Sequence, residues 1–303
     1  MHQALKTQFV MVVATIVTTI ILISLPSCKN ETQQQKQKVH AMFDWINTMT
    51  TCPMLSSALY PKLDPKLQAL YDKSLSLSRA DGIVDQVAVT ALYKEAAEKG
   101  HWPSMHNLAV RYYQGNGIEE SDEKALYWYR QIEALDIPDG YTNMALVYRK
   151  GIGVPKDPDK ALEYMSKAAQ LGDPDAQFML GKYLYHPLKR KAEAYKLLAC
   201  AVKQNHRDAA LELAAHYEVD EDSEKSYYFY RKGAMLGSDS CLNALSDAYA
   251  HTPKYPTFGL NKDLDRAICL ENLVDELENN PELTFPDLDT RCPANVPQPP
   301  GRD

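Results

Sequence analysis

The chain has 303 residues, of which 45% are hydrophobic and 24% are charged, a balance typical of a globular protein. Its formal net charge of −7 argues against a nucleic-acid partner, because proteins that bind nucleic acids present basic faces. The length allows one long array or two small domains.

Residues 1–27 differ in composition from everything that follows. Lys6 precedes an apolar run from Phe9 to Leu25, which predicts an export signal. The run ends in Leu-Pro-Ser-Cys28, which resembles a bacterial lipobox. That resemblance implies that Cys28 is acylated, and Lys29 after it implies a lipid-anchored protein in the periplasm, sorted to the outer membrane. The alternative is an uncleaved membrane anchor, since about 17 apolar residues can just span a bilayer.

Residues 28–40 are polar and rich in glutamine, which predicts a flexible tether. Structure is expected to begin near Ala41, where apolar residues recur at helical spacing. They are Met42, Phe43, Trp45, Ile46 and Met49. We interpret this stretch as a helix that caps an array running over residues 41–279, because the terminal units of repeat arrays are usually atypical.

A sequence pattern of about 35 residues recurs along that array. In its clearest copy, 139–173, a first helix stops at Gly151-Ile152-Gly153 and a second, Ala161 to Leu171, follows a cap at Asp157 or Asp159. The tyrosines that end successive first helices are Tyr112, Tyr148, Tyr183, Tyr217 and Tyr249, spaced by 36, 35, 34 and 32. This period predicts about six stacked helical hairpins, at 64–100, 103–138, 139–173, 174–207, 208–238 and 239–279.

The repeated residues resemble the Sel1-like repeat, a relative of the tetratricopeptide repeat. The shared features are small residues in the first helix, a Gly-x-Gly turn, Lys-Ala at the start of the second helix and Ala-Ala near its end. The resemblance covers about residues 64–279 and implies an all-α solenoid. Such solenoids are recognition scaffolds, so a protein partner is expected.

The last segment, residues 280–303, holds six of the 18 prolines and is expected to lack regular structure. Leu283, Phe285, Leu288 and Cys292 are expected to lie against the last hairpin. Residues 263–293 resemble a C-terminal module that accompanies Sel1-like repeats in some bacterial lipoproteins.

Five cysteines remain if Cys28 is acylated, and an exported protein meets an oxidising compartment, so pairing is expected. The odd number leaves at least one thiol free. Cys292 is expected to pair with Cys269 or with Cys241, whereas Cys52 with Cys292 is disfavoured because the ends of a solenoid lie far apart. The spacing fits no zinc site, so no metal is expected.

No catalytic motif was found in the sequence. Gly115-Asn116-Gly117 and Gly151-Ile152-Gly153 follow no strand, so they are interpreted as turns between helices rather than phosphate loops. Neither His-Glu-x-x-His nor Gly-x-Ser-x-Gly occurs. We therefore expect no enzyme, no catalytic residue and no cofactor.

Positions between the core residues of the first helices are expected to face the groove of the solenoid, where a protein partner would bind. These positions are His106, Asn107, Arg111, Tyr141, Asn143, Val147, Gln177, Lys182, Glu212 and His216.

A lipoprotein with these repeats and this type of tail resembles the immunity proteins that protect bacteria from type VI secretion phospholipase D effectors. That resemblance implies a periplasmic protein that binds a toxic phospholipase and covers its active site. Two alternatives stay open. One is an envelope scaffold that binds other protein partners through the groove, and the other is an unrecognised enzyme.

Overall fold

The computed structural model describes residues 37, 41–79, 84–186, 188–252 and 256–296. The predicted export signal, the lipidation site Cys28, most of the predicted tether and residues 297–303 lie outside this part of the chain. Within the described ranges, no helix combines the length and the apolar character that a membrane crossing requires.

The chain divides into two units, residues 1–49 and 50–303. In the first unit the predicted capping helix corresponds to α1 (Asp44–Thr48), a helix of five residues in which Ile46 is buried. The second unit holds the repeats.

The second unit consists of six helical hairpins that follow one another along the chain. Hairpin 1 is α2 (Pro65–Ser78) with α3 (Gln86–Glu98), hairpin 2 is α4 (Trp102–Gln114) with α5 (Asp122–Glu133), hairpin 3 is α6 (Pro138–Lys150) with α7 (Pro158–Gln170), hairpin 4 is α8 (Pro174–Tyr185) with α9 (Lys191–Lys203), hairpin 5 is α10 (Arg207–Val219) with α11 (Ser223–Met235), and hairpin 6 is α12 (Asp239–Ala250) with α13 (Leu264–Asn279). From α2 to α13 each helix packs on the next one in the chain, and the described residues contain no strand. The predicted all-α solenoid is confirmed.

Local sequence signals set the ends of these helices. The side chain of Asp157 accepts a hydrogen bond from the backbone N–H of Lys160 and caps α7, which begins at Pro158, three residues before the predicted start. Gly115 and Gly151 follow α4 and α6 with φ of 67° and 82°. Left-handed backbone of this kind costs other residues about 1–2 kcal/mol, so glycine is well suited to end these two helices.

Small residues bring neighbouring helices together, as the sequence suggested. Ala109, Ala145 and Ala214 are buried, and a Cβ added to Gly181 would lie 2.8 Å from Cγ of Leu198. A larger side chain at Gly181 would therefore push α8 away from α9.

The tyrosine series is wrong in hairpin 4. Leu184 is fully buried at the end of α8, whereas Tyr183 beside it is only half-buried. Leu184 lies 36 residues after Tyr148 (184 − 148 = 36), the same interval that separates Tyr148 from Tyr112. The position that holds tyrosine in hairpins 2 and 3 is therefore occupied by leucine in hairpin 4, and Tyr183 lies one residue before it.

The tail contacts hairpins 5 and 6 rather than the last hairpin alone. Phe285 is fully buried, and its backbone N–H donates to the carbonyl of Met235 in α11 (2.8 Å). Asp289 forms ion pairs with Arg231 of α11 and with Arg266 of α13, the latter at 2.6 Å. Contrary to expectation, one turn of helix, α14 (Leu288–Arg291), interrupts the irregular tail.

Two disulfides link the segments before and after the helical hairpins to the array. Of the two pairings considered for Cys292, the structure contains the one with Cys269, with Cα atoms 5.6 Å apart. The second disulfide joins Cys52 to Cys200 and was not anticipated. Cys241 is buried and free, and burial raises the pKa of its thiol to about 12, so it is a poor nucleophile.

The Cys52–Cys200 disulfide fixes a segment that we call the strap, residues 50–60. The carbonyl of Pro53 accepts from the side chain of Gln177 (2.8 Å). Further along, the hydroxyl of Tyr60 donates to the carboxylate of Asp139 (2.6 Å). The strap therefore spans hairpins 3 and 4 in the direction opposite to the chain order of the repeats.

Candidate interaction surface

Six of the ten residues expected to face an open groove are buried instead, so that part of the prediction is wrong. They are Arg111, Tyr141, Asn143, Val147, Gln177 and His216, each at most 8% exposed. The physical reason is that a helix inside a stack is covered by its hairpin partner and also by the neighbouring hairpin. Its exposed stripe is therefore narrower than that of a helix on the surface of a globular domain.

Arg111 illustrates what these residues do. Its guanidinium donates to the side chains of Gln86 and Thr90, both at 3.0 Å, and lies 5.2 Å from the centre of the Tyr93 ring. Burial lowers the pKa of Arg111. The side chain joins hairpin 2 to hairpin 1 and is not available to a partner.

Gln177 acts in the same way between the strap and hairpin 4. It is fully buried, and its side-chain amide oxygen accepts from Gln204 at 3.0 Å. Gln204 also accepts from the backbone N–H of Leu55 in the strap at 2.7 Å. Two glutamines of hairpin 4, one in α8 and one at the end of α9, thus hold the strap in place by hydrogen bonds.

Val147 belongs to the apolar core around hairpins 2 and 3. Tyr141 and Asn143, also in hairpin 3, form hydrogen bonds with other residues of the array. Tyr141 donates to the carboxylate of Asp136, and the ammonium of Lys167 lies 4.0 Å from its ring centre. Asn143 accepts from Nδ1 of His106 at 3.0 Å.

Four of the ten residues keep some exposure. His106 and Asn107 are half-buried, and burial lowers the pKa of His106 while its bond to Asn143 opposes that shift. Lys182 is exposed and Glu212 is half-buried, and these two form an ion pair of 3.3 Å between α8 and α10.

Glu212 is the centre of a short polar chain. His216, also in α10, reaches its carboxylate with Nε2 at 3.3 Å and stacks on the ring of Tyr185, with centroids 3.6 Å apart. The hydrogen bond from His216, helped by the charge of Lys182, lowers the pKa of Glu212 although partial burial opposes the shift. The carboxylate is therefore held ionised between two helices.

Beside this chain lies an open apolar groove of about 620 Å³, which we call the hairpin 3–4 groove. Its apolar lining includes Leu162 and Met165 of α7 and Phe178 and Met179 of α8. Its polar edge includes Arg149 at the end of α6 and Lys182. Only Lys182 and Glu212 of the predicted residues line it.

The sequence did carry a signal for this groove. Met179 lies 36 residues after Asn143, which lies 36 after Asn107, so all three occupy one position of the repeat. Asparagine at that position in hairpins 2 and 3 shows that the fold does not need an apolar side chain there. The methionine at that position in hairpin 4 supplies part of the apolar lining of the groove.

Stacked pairs of helices that bury small residues at their crossings define an α-solenoid repeat protein. The Sel1 repeat matches this sequence at residues 102–135, 138–173, 174–206 and 208–238, which correspond to hairpins 2 to 5. The chain belongs to the Sel1-repeat proteins.

Several solved structures are similar over most of the chain. The Pseudomonas aeruginosa protein PA5086 is 30% identical with a TM-score of 0.62, and the match covers 81% of this chain and 94% of that one. The immunity protein Pa5087 of the same organism is 28% identical with a TM-score of 0.63, covering 82% and 96%. The immunity protein PA5088 of P. aeruginosa is 27% identical with a TM-score of 0.65, covering 82% and 94%. No curated protein matches the chain significantly.

Proposed function

We propose that this chain is an immunity protein that binds a toxic phospholipase D-type effector of type VI secretion and blocks its active site. The observation that carries the proposal is the similarity to two immunity proteins over 82% of the chain, at 28% and 27% identity. That similarity extends beyond the Sel1 repeats, which match only residues 102–238.

In this mechanism the immunity protein binds the effector and catalyses no reaction itself. A solenoid presents side chains from successive repeats at regular intervals, so it can cover a large part of another protein. Affinity would come from a few desolvated apolar or arginine anchors surrounded by polar contacts. The net charge of −7 would speed association with a basic effector surface.

The place of action follows from the same proposal. An effector that attacks phospholipids from the periplasm has to be bound in the periplasm. The proposal therefore includes export of the chain and its attachment to the outer membrane by a lipid on Cys28. The anchor would keep the immunity protein beside the membrane that the effector attacks. This part rests on residues 1–40 of the sequence, as described above.

Gene deletion tests the proposal. If a secreted phospholipase is encoded in a neighbouring gene, deleting the immunity gene alone should make the strain sensitive to sister cells that secrete that enzyme. Deleting both genes in all cells should restore normal growth. The purified chain should inhibit that phospholipase at a stoichiometric ratio. An envelope defect that persists when both genes are absent would favour the envelope scaffold instead. A chain that turns over a substrate unaided would refute the non-catalytic mechanism.

A further inference from the structure

The hairpin 3–4 groove is apolar at positions where the repeat does not require it. Met179 replaces the asparagines of hairpins 2 and 3, and Phe178 follows the same pattern, since His106 and Thr142 stand at the corresponding positions (178 − 36 = 142; 142 − 36 = 106). Both Phe178 and Met179 are half-buried, so part of each side chain stays in contact with water. Phe178 also packs on the apolar cluster around Leu198 and on the ring of His206, with centroids 4.5 Å apart. The change to Met179 therefore adds apolar surface that costs solvation energy unless something covers it.

The groove has the size and composition of a binding site for large apolar side chains. Its volume of about 620 Å³ would hold two or three of them, as when one face of a helix docks in a hydrophobic groove. Met165 and Met179 add adaptable thioether side chains, which fit irregular partners well.

The charges at the edge narrow the choice of occupant. Lys182 is paired with Glu212, but Arg149 is exposed and takes part in no ion pair among the described residues. A carboxylate of a partner could form a bidentate pair with its guanidinium. The proposed function requires a protein partner, so we assign this anionic group to an aspartate or glutamate of that protein rather than to a lipid headgroup.

The geometry points to the hairpin 3–4 groove as the anchor site for the effector: a segment of that protein that inserts two or three large apolar side chains and places one carboxylate against Arg149. This assignment rests on the proposed function. The segment that binds is apolar, has an adjacent aspartate or glutamate, and belongs to a protein rather than to a lipid.

Two substitutions test the assignment with little risk to the fold. Met179→Asn introduces the residue that hairpins 2 and 3 carry at this position, and Arg149→Glu reverses an exposed charge at the end of α6. The matched controls are Val219→Asn, at an apolar residue that is 75% exposed outside the groove, and Lys150→Glu, at the next residue of α6. Circular dichroism and thermal unfolding confirm that each variant is folded.

The first probe is the purified phospholipase effector that the deletion test identifies, with Kd measured by biolayer interferometry on the full chain. Loss of an interface anchor should raise Kd at least about 10-fold for Met179→Asn and for Arg149→Glu, and the controls should stay within about twofold. If Arg149→Glu and Met179→Asn both bind like the wild-type chain, the groove is not the anchor site, and the proposed function stands. If the wild-type chain itself does not bind the phospholipase, both proposals fall.

The second probe is a fluorescent short-chain phosphatidylglycerol. If the groove holds a protein segment, Met179→Asn should not reduce the binding of this lipid. If Met179→Asn abolishes binding of this lipid and leaves phospholipase binding unchanged, the groove holds an acyl chain and the assignment to a protein segment is overturned.

Discussion

Removing the Cys52–Cys200 disulfide should lower the stability of the array more than removing the disulfide of the tail. The two cysteines are 148 residues apart, whereas Cys269 and Cys292 are 23 apart. In the chain-entropy account a disulfide stabilises by restricting the unfolded chain, and the effect grows with the logarithm of the loop length. The longer loop corresponds to about 5 kcal/mol and the shorter one to about 3 kcal/mol.

The native contacts of the strap explain why this entropic term should dominate. Without the disulfide, Pro53 still accepts from Gln177 and Tyr60 still donates to Asp139, so the strap stays docked in the folded protein. Removing the disulfide therefore changes mainly the free energy of the unfolded state. In the absence of the crosslink, that state gains the freedom of a long loop.

The assay compares Cys52→Ala/Cys200→Ala with Cys269→Ala/Cys292→Ala and with the wild-type chain. Unfolding in guanidinium chloride, followed by circular dichroism, should give the lowest midpoint for the first double variant. A midpoint equal to that of the wild-type chain would refute the entropic reasoning. So would a larger loss in the second double variant, because the shorter loop cannot stabilise more by this mechanism.

Three further results are expected. Tyr60→Phe should cost about 1 kcal/mol in unfolding experiments, because it leaves the carboxylate of Asp139 without its hydroxyl donor, and Tyr127→Phe at a tyrosine that is 55% exposed should cost nothing measurable. Glu212 has a pKa lowered below its ordinary value of 4.5, so its ion pairs stabilise the fold above that pH, and the stability gap between the wild-type chain and Glu212→Gln should close as the pH falls through the lowered pKa. A gap that stays constant down to acid pH would contradict this. Cys28→Ala should abolish incorporation of radiolabelled palmitate in cells, and persistent labelling of that variant would contradict lipid attachment at this cysteine.

The hairpins were predictable because their signals are local. A period of about 35 residues, a glycine after each well-formed first helix and an aspartate or serine before the second one all lie within a single repeat. The errors occurred where the period weakens. In hairpin 4 the Gly-x-Gly turn is missing, and there the tyrosine series moved by one residue from Leu184 to Tyr183.

The binding residues were less predictable, because their exposure depends on neighbours from other repeats. Arg111 is typical of an exposed side chain by its chemistry, but hairpin 1 covers it and supplies Gln86 and Thr90 as acceptors. Gln177 is likewise covered by a strap that lies more than 100 residues earlier in the chain. Helical periodicity separates core from surface for one helix, and it cannot tell which part of the surface an adjacent hairpin takes.

The amino-acid sequence by itself determined the helical hairpins, their order and their stacking, because caps, turns and small residues act within one repeat or between consecutive ones. Tertiary structure alone decided the course of the strap and the pairing of Cys52 with Cys200. These features bring together residues from different repeats, or residues as far apart as 148 positions, and no periodic pattern records such distances.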